Sequence, residues 1–319
     1  MTTGAIPRTG RRLDRRAVLA GLGATFAAPL LVNEPAHAAV PKFRRSVGAV
    51  EVTVVSDGAL TVPLAFALPD IPPAEAAAFL TSHGLPAGGN PIATNVSLVR
   101  SGSELVLIDA GAGANFQPSA GKLAENLAAA GIEPAMISKV VFTHGHADHL
   151  WGAIDDFDDS ERFPNASYVM SVPEWDFWTD PDTPTRAPDW LKGMAIGSAR
   201  ILKRLESKVA RRNAGEQVAA GVTFVETAGH TPGHMSVMVE SGRERLLIGA
   251  DVLAHGAVSF ARPQWRWGSD YDGDRAVATR KRLLDRLATD GVPLIGFHLP
   301  WPGYGTVEKK GNAYQFVPI

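Results

Sequence analysis

Between Thr143 and His149 the chain reads Thr-His-Gly-His-Ala-Asp-His, which places four residues of metal-binding type within six positions, directly after the apolar run Lys139 to Thr143. No other stretch limits the fold as strongly. A buried core does not gather so many titratable groups unless they are paired or metal-bound; the other reading is a solvated polar loop. The apolar run predicts a strand. At the end of an extended segment residues two apart point the same way, so His144 and His146 can grip one ion. Once the chain turns, Asp148 and His149 can face a second. Two ions need more ligands than these, and catalytic zinc sites favour imidazole nitrogen and carboxylate oxygen with one position open for water. The remaining ligands are expected at other strand ends. Three residues fit: His230 in Ala-Gly-His-Thr-Pro-Gly-His, Asp251 after Leu-Ile-Gly-Ala, and His298 after Leu-Ile-Gly-Phe.

The rest of the chain suits an enzyme of small molecules. Its 319 residues, 45% hydrophobic and 20% charged, are enough for a substantial core and exclude a disordered chain. A net charge of -2 leaves no basic footprint for nucleic acid or anionic membrane. Asp14-Arg15-Arg16-Ala17-Val18-Leu19-Ala20 resembles a twin-arginine export signal, and Ala36-His37-Ala38 offers cleavage before Ala39. The uncharged stretch between them, Ala17 to Val32, is short, rich in Ala and Gly and followed by Asn33-Glu34-Pro35, which fits a cleaved signal better than a stable membrane anchor. Residues 1–38 are therefore expected to be a signal peptide, 39–319 a single catalytic domain, and the mature protein periplasmic or secreted. It has no cysteine and must stand without disulfides. A homodimer is left open.

Alternation and turn residues predict strands at Val50 to Asp57, where the mature fold is expected to begin, and at Asn95 to Arg100, Glu104 to Asp109 and Ser167 to Ser171. Further strands are predicted at Val222 to Glu226, Met235 to Glu240, Arg245 to Gly249 and Val292 to Phe297. Helices are predicted at Lys122 to Ala130 and at Asp274 to Asp290, each closed by a glycine. Leu68 to Pro91 reads as a long loop with a short helix at Glu75 to Leu80, and Pro173 to Arg212 as mainly helical, interrupted at Asp180 to Pro188. Strand clusters punctuated by helices in both halves imply an α/β fold of packed sheets with helices outside.

In their order, the His-x-His-x-Asp-His cluster, the Gly-His-Thr-Pro-Gly-His segment, the Gly-Ala-Asp segment and the late histidine resemble the metallo-β-lactamase superfamily over nearly the whole mature chain. Val54-Val55-Ser56-Asp57-Gly58, the Gly296-Phe297-His298-Leu299 segment and Tyr314-Gln315-Phe316-Val317-Pro318 are similar to the methyl parathion hydrolase group; related lactonases share the ligand order. The resemblance implies an αββα sandwich and two divalent ions, zinc above others. His144, His146 and His230 would hold one ion, Asp148, His149 and His298 the other, with Asp251 bridging. It also implies that Asp109 supports the site from behind; from sequence alone that Asp could equally cap the glycine turn after it, and Asp57 carries the same ambiguity. His234 is either a support of the ligands or the start of the next strand.

Two ions with Asp148 and Asp251 would leave the centre positive, able to lower the pKa of bound water toward ~7 and to stabilise charge on an attacked oxygen. No general acid is evident beyond a metal-bound water or a bridging aspartic acid, so a good leaving group or a strained ring is expected: lactones, aryl esters or organophosphate triesters. Phe116, Trp178 and Trp190 are candidates for an apolar pocket suited to a small uncharged ester, or are ordinary core aromatics. The rival readings are an iron-dependent oxidoreductase of the sulfur dioxygenase kind on the same fold, a β-lactamase, and a metal-binding protein without turnover. Gly111 to Phe116 lacks the third glycine of a dinucleotide fingerprint and reads as a turn. His83 and His255 read as ordinary loop histidines, and Lys203 to Arg212 as a solvated helix face.

Overall fold

Side chains that alternate along extended runs build two sheets, because each strand can bury one face against the other sheet and the opposite face beneath helices. The computed structural model describes residues 1–2 and 42–319; the twin-arginine motif and the expected cleavage site lie outside them. The first sheet holds β1 (Lys42–Val47), β2 (Val50–Leu60), β3 (Ile92–Ser101), β4 (Glu104–Ile108), β5 (Lys139–Val141), β6 (Ser167–Ser171) and β7 (Val209–Arg212), in that spatial order. β1 to β4 pair antiparallel, and β4 to β7 pair parallel. The second sheet holds β8 (Gln217–Ala219), β9 (Val222–Glu226), β10 (Met235–Ser241), β11 (Glu244–Ala250), β12 (Leu294–Gly296), β13 (Tyr304–Lys310) and β14 (Ala313–Pro318), antiparallel except for the β11/β12 pair.

In β4 the two faces separate cleanly. Val106 and Ile108 join Val52, Val54, Phe224, Val237 and Ile248 in the core between the sheets, while Leu105 and Leu107 face the helices that cover the first sheet. The helices that matter for the site are α1 (Pro73–Ser82), α2 (Leu123–Ala129), α3 (Ala147–Leu150), α4 (Val172–Thr179), α5 (Asp189–Leu205) and α6 (Gly273–Asp290). Leu123 and Leu127 of α2 and Leu191, Ile201 and Leu202 of α5 pack on the first sheet. Leu283, Leu284 and Leu287 of α6 pack on the second. The layers are thus helix, sheet, sheet, helix. Asp272 caps α6 by accepting from Arg275 N at 3.0 Å, and Gly291 ends it in the left-handed region at φ 65°. Among the described residues no helix is long and apolar enough to cross a membrane.

The fold departs from expectation at its edges. Among the described residues the first strand is β1, which starts eight residues before Val50. The run Lys203 to Arg212 leaves the helix at Leu205 and finishes as edge strand β7, half-buried at Val209 and Ala210. The chain also closes in the hairpin β13/β14. These edge strands are short or charged, so they lack the apolar alternation that marks the central ones.

Candidate metal centre

Strand direction brings the candidate residues to one end of the sandwich. β4 and β5 run parallel, so Asp109 and the loop that starts at Thr143 leave the first sheet at the same edge. β11 and β12 also run parallel, and β9 runs the same way as β11 because each is antiparallel to β10; Asp251, His298 and His230 therefore leave the second sheet together. Asp109 (φ 66°) and Ala250 (φ 48°) adopt left-handed backbone at these exits. Such strain in non-glycine residues persists where the surroundings over-determine the conformation.

The seven candidates form two groups that share one carboxylate: His144, His146, His230 and Asp251, and Asp148, His149, Asp251 and His298. Within each group one ligand atom per residue lies within 4.8 Å of every other. In the first, His146 Nδ1 stands 3.0 Å from His144 Nε2 and 2.9 Å from His230 Nε2, and Asp251 Oδ2 is 3.3 Å from His230 Nε2. In the second, His149 Nε2 is 3.1 Å from Asp251 Oδ1 and 3.4 Å from Asp148 Oδ2, while His298 Nε2 is 3.3 Å from Asp148 Oδ2 and 3.1 Å from Asp251 Oδ2. All seven side chains are buried.

The outward ring nitrogens reveal what the inward ones must do. His149 Nδ1 faces Asp109 Oδ2 at 2.7 Å, His230 Nδ1 faces Asp270 Oδ1 at 2.9 Å, His298 Nδ1 faces the Ala93 carbonyl at 2.9 Å, and His144 Nδ1 faces Thr143 Oγ1 at 3.1 Å. The Thr143 hydroxyl donates to Asp109, so all four are acceptors. Each of these outer nitrogens therefore carries the proton, which turns lone pairs inward. Lone pairs converging at about 3 Å need a cation between them. His149 Nε2 and Asp251 Oδ1 are in addition buried without any hydrogen-bond partner, as divalent-ion ligands would be. The donor set, imidazole nitrogen plus carboxylate oxygen, thus fits two divalent ions.

The electrostatics call for the same positive charge. Burial pulls every histidine down, yet Asp251 and Asp148 lift His298 to about 10, Asp251 and Asp270 lift His230 to about 9, and the surrounding aspartates hold His149 well above its ordinary value. Burial and neighbouring imidazoles push His144 and His146 well below theirs. Against the burial penalty, His298 and His149 keep the Asp251 carboxyl well below the carboxylate range, and His149 does the same for Asp148.

Behind the ligands stand groups of two kinds. Asp109 spends its carboxylate on Thr143 N (2.8 Å), Thr143 Oγ1 (2.8 Å) and His149, rather than on the glycine turn that follows it. Asp57, set at the bulge in β2, accepts from Ala112 N at 2.8 Å and Leu123 N at 2.7 Å, and burial raises it to about 6. His234 immediately precedes β10 and fixes a ligand: its Nε2 accepts from Asp251 N at 3.2 Å and its Nδ1 meets Thr227 Oγ1 at 2.8 Å, with burial lowering it to about 3. Asp270 and Glu174 are absent from the sequence-derived set. Asp270 holds His230 with one oxygen and Arg280 Nη2 with the other at 3.1 Å; Arg280, fully buried on α6, also donates to Val252 O and Trp265 O. Glu174 is a fully buried carboxylate whose burial raises its pKa although four donors surround it. Neither acid sits in a local motif that would single it out.

A cleft of about 280 Å³ opens over His146, Asp148, Asp251 and His298, walled by Phe66, Phe116, Trp190, Met194 and Trp267. Phe116 and Trp190 thus face the space above the ligands. Trp178 does not. Its indole is fully buried behind His146, ring centroids 5.6 Å apart, and donates to Glu174 Oε1 at 2.5 Å. Gly145 is required there, since a Cβ would stand 2.5 Å from the indole nitrogen. His83 and His255 keep local partners: His83 Nδ1 meets Phe79 O at 2.9 Å, and His255 Nδ1 accepts from Ala257 N at 3.1 Å.

The sandwich and its strand-end cluster define a class that comparison with known proteins identifies. Residues 89–298 match the metallo-β-lactamase superfamily, and the chain belongs to that superfamily. It is similar to an N-acyl homoserine lactonase, AttM, of Azorhizobium caulinodans, 30% identical over 200 residues that cover 58% of this chain and 66% of that protein. It is also similar to the probable metallo-hydrolase YflN of Bacillus subtilis, 28% identical over half of this chain and 60% of the relative. The chain thus spans less than two thirds of the length of these relatives. Two solved structures align over 87% of this chain and 97% of their own, each 28% identical: AidC, a dizinc quorum-quenching lactonase in complex with the product N-hexanoyl-L-homoserine, with a TM-score of 0.82, and AbOPH, a hydrolase of the β-lactamase superfamily, with a TM-score of 0.81.

Proposed function

We propose that this protein is a dinuclear metal-dependent hydrolase, with zinc as the metal, and that it opens lactones. The observation that carries the reading is the convergence of seven buried ligand atoms in two groups around Asp251, at the floor of an apolar cleft. Bound there, two divalent ions supply an activated water and a positive field for the oxygen that gains charge. The chain's own residues do the rest. Asp109, Asp270 and the Ala93 carbonyl set the tautomers and orientations of His149, His230 and His298. Asp251 and Asp148 are the two carboxylates within reach of a bound substrate, and Asp251, common to both groups, fixes their spacing.

Phe66, Phe116, Trp190 and Trp267 keep bulk water from the acyl group, and the absence of Lys and Arg from the described lining favours an uncharged substrate over one with a carboxylate to clamp, as a β-lactam has. At about 280 Å³ the cleft lies at the small end of ligand pockets, which run upward from about 300 Å³. A compact ring ester fits that space and needs no dedicated general acid. The kinship with AttM and AidC supports lactones ahead of aryl esters and phosphotriesters. An N-terminal export signal would place the enzyme in the periplasm or outside the cell.

A panel of lactones, aryl esters and phosphotriesters, assayed with the metal-reconstituted protein, tests this. Lactones should show the highest kcat/KM. A phosphotriester or aryl ester that outranks every lactone would overturn the substrate class, and one iron per chain with oxygen consumption would overturn hydrolysis itself.

A further inference from the structure

Glu174, near the start of α4, hydrogen-bonds to no ligand side chain, yet its two oxygens join the loops on which the first ligand group depends. Oε1 accepts from Gly145 N at 3.0 Å and from Trp178 Nε1 at 2.5 Å. Gly145 lies between His144 and His146, and the indole backs His146. Oε2 accepts from Thr231 Oγ1 at 2.9 Å and from Gly233 N at 2.8 Å. Those two residues follow His230 by one and three positions, in the turn that leads from it toward β10. Four donors thus saturate one ionised carboxylate, which accepts about four hydrogen bonds and donates none.

The surroundings permit no substitute for this arrangement. Gly233 comes so close to α4 that a Cβ would stand 2.3 Å from Glu174 N, and Ser171 Oγ donates to Gly233 O at 2.7 Å. Gly145 is gripped from its other side as well, its carbonyl accepting from Ser198 Oγ of α5 at 2.7 Å. The second group is held differently. Asp109 ties His149 to Thr143 within one loop, and His298 meets the Ala93 carbonyl while Asn95 Nδ2 donates to Gly296 O and Leu299 O on either side of it. Among the described residues no single carboxylate behind the ligands joins the His149 and His298 loops.

We propose that Glu174 is a positioning residue that sets the distance between His146 and His230, and so the metal affinity of the three-histidine group alone. The proposal rests on the two-ion reading. A buried carboxylate with four donors is stiff because releasing any one of them leaves a buried N–H or hydroxyl unpaired. In Glu174→Gln the amide keeps the shape but has a single acceptor oxygen: with its NH2 toward Thr231 it can donate to the hydroxyl but leaves Gly233 N unpaired, and with its NH2 toward Gly145 it leaves that N–H and the Trp178 indole unpaired. Either way the clamp loosens on one loop.

The test measures metal affinity by chelator competition in two backgrounds. His298→Ala leaves the three-histidine group complete, and His230→Ala leaves the other with its His149 and His298. Glu174→Gln should weaken binding about 10- to 100-fold in the first background, the usual cost of losing a supporting partner, and leave the second unchanged. Thr231→Val, which removes one of the four donors at little risk to folding, should show the same selectivity with a smaller loss of a few-fold. Equal weakening in both backgrounds, or a lower melting temperature with both affinities intact, would mean a general structural role and overturn the proposal. A wild-type chain that holds one ion would remove the two-ion reading, and the clamp with it.

Discussion

The two halves of the molecule contribute to the centre in different ways. The N-terminal half supplies four ligands from one loop, His144 to His149, which follows a single strand. The C-terminal half supplies His230, Asp251 and His298 from three separate strand exits. A contiguous loop sets the relative positions of its ligands by local backbone geometry, whereas dispersed ligands need the sheet register and buried braces to meet. The braces follow that division: Asp109 serves the loop, while Asp270 with Arg280, and His234, serve the dispersed set.

The largest effect is expected where the halves meet. Asp251→Ala removes the carboxylate common to both groups, so hydrolysis should fall by about three orders of magnitude or more, as for residues that act as a unit; steady-state kinetics on the best lactone reads it. Activity within tenfold of wild type would show that the halves work separately.

Next comes the bracing of the dispersed half. Asp270→Asn removes the charge that pairs with buried Arg280 and weakens the acceptor that orients His230. Breaking a buried pair in this way costs about 3 kcal/mol of stability, and metal affinity should fall about 10- to 100-fold. Denaturant melts and chelator competition measure the two. Asp109→Asn should cost metal affinity through His149 and, by way of Thr143, through His144, so comparing it with Asp270→Asn sharpens the contrast between the loop and the dispersed ligands.

The smallest effects separate wall from support. Trp190→Ala should raise KM a few-fold, about 1 kcal/mol of apolar contact, with kcat little changed. Trp178→Phe should leave KM alone and lower metal affinity, because Trp178 backs His146 instead of facing the cleft. If KM responds to Trp178 and not to Trp190, the assignment of the two aromatics is reversed.

The same division explains what could be read in advance. His144 to His149 announce themselves because four residues of ligand type stand together after an apolar strand. His230, Asp251 and His298 are legible through the short apolar or turn-rich runs that precede them. The central strands, rich in β-branched and apolar residues, match their predicted places closely, as does α6. β7 is not legible, because its Val-Ala-Arg-Arg continues the basic run of α5, and only pairing with β6 makes it a strand. Glu174 and Asp270 have no local signature at all. Three of the four partners of Glu174 lie 29, 57 and 59 residues away, and Asp270 meets His230 across 40. Buried carboxylates of this kind become visible only once the loops they join are in place. The aromatics divide likewise: sequence cannot say whether an indole faces the cleft, as Trp190 does, or closes behind a ligand, as Trp178 does.

The most direct test of the central claim is the metal content of the purified protein after reconstitution and dialysis, measured by elemental analysis beside Asp251→Ala. Two divalent ions are expected per wild-type chain and at most one in the variant. One ion in the wild type, or two retained without Asp251, would contradict the central claim.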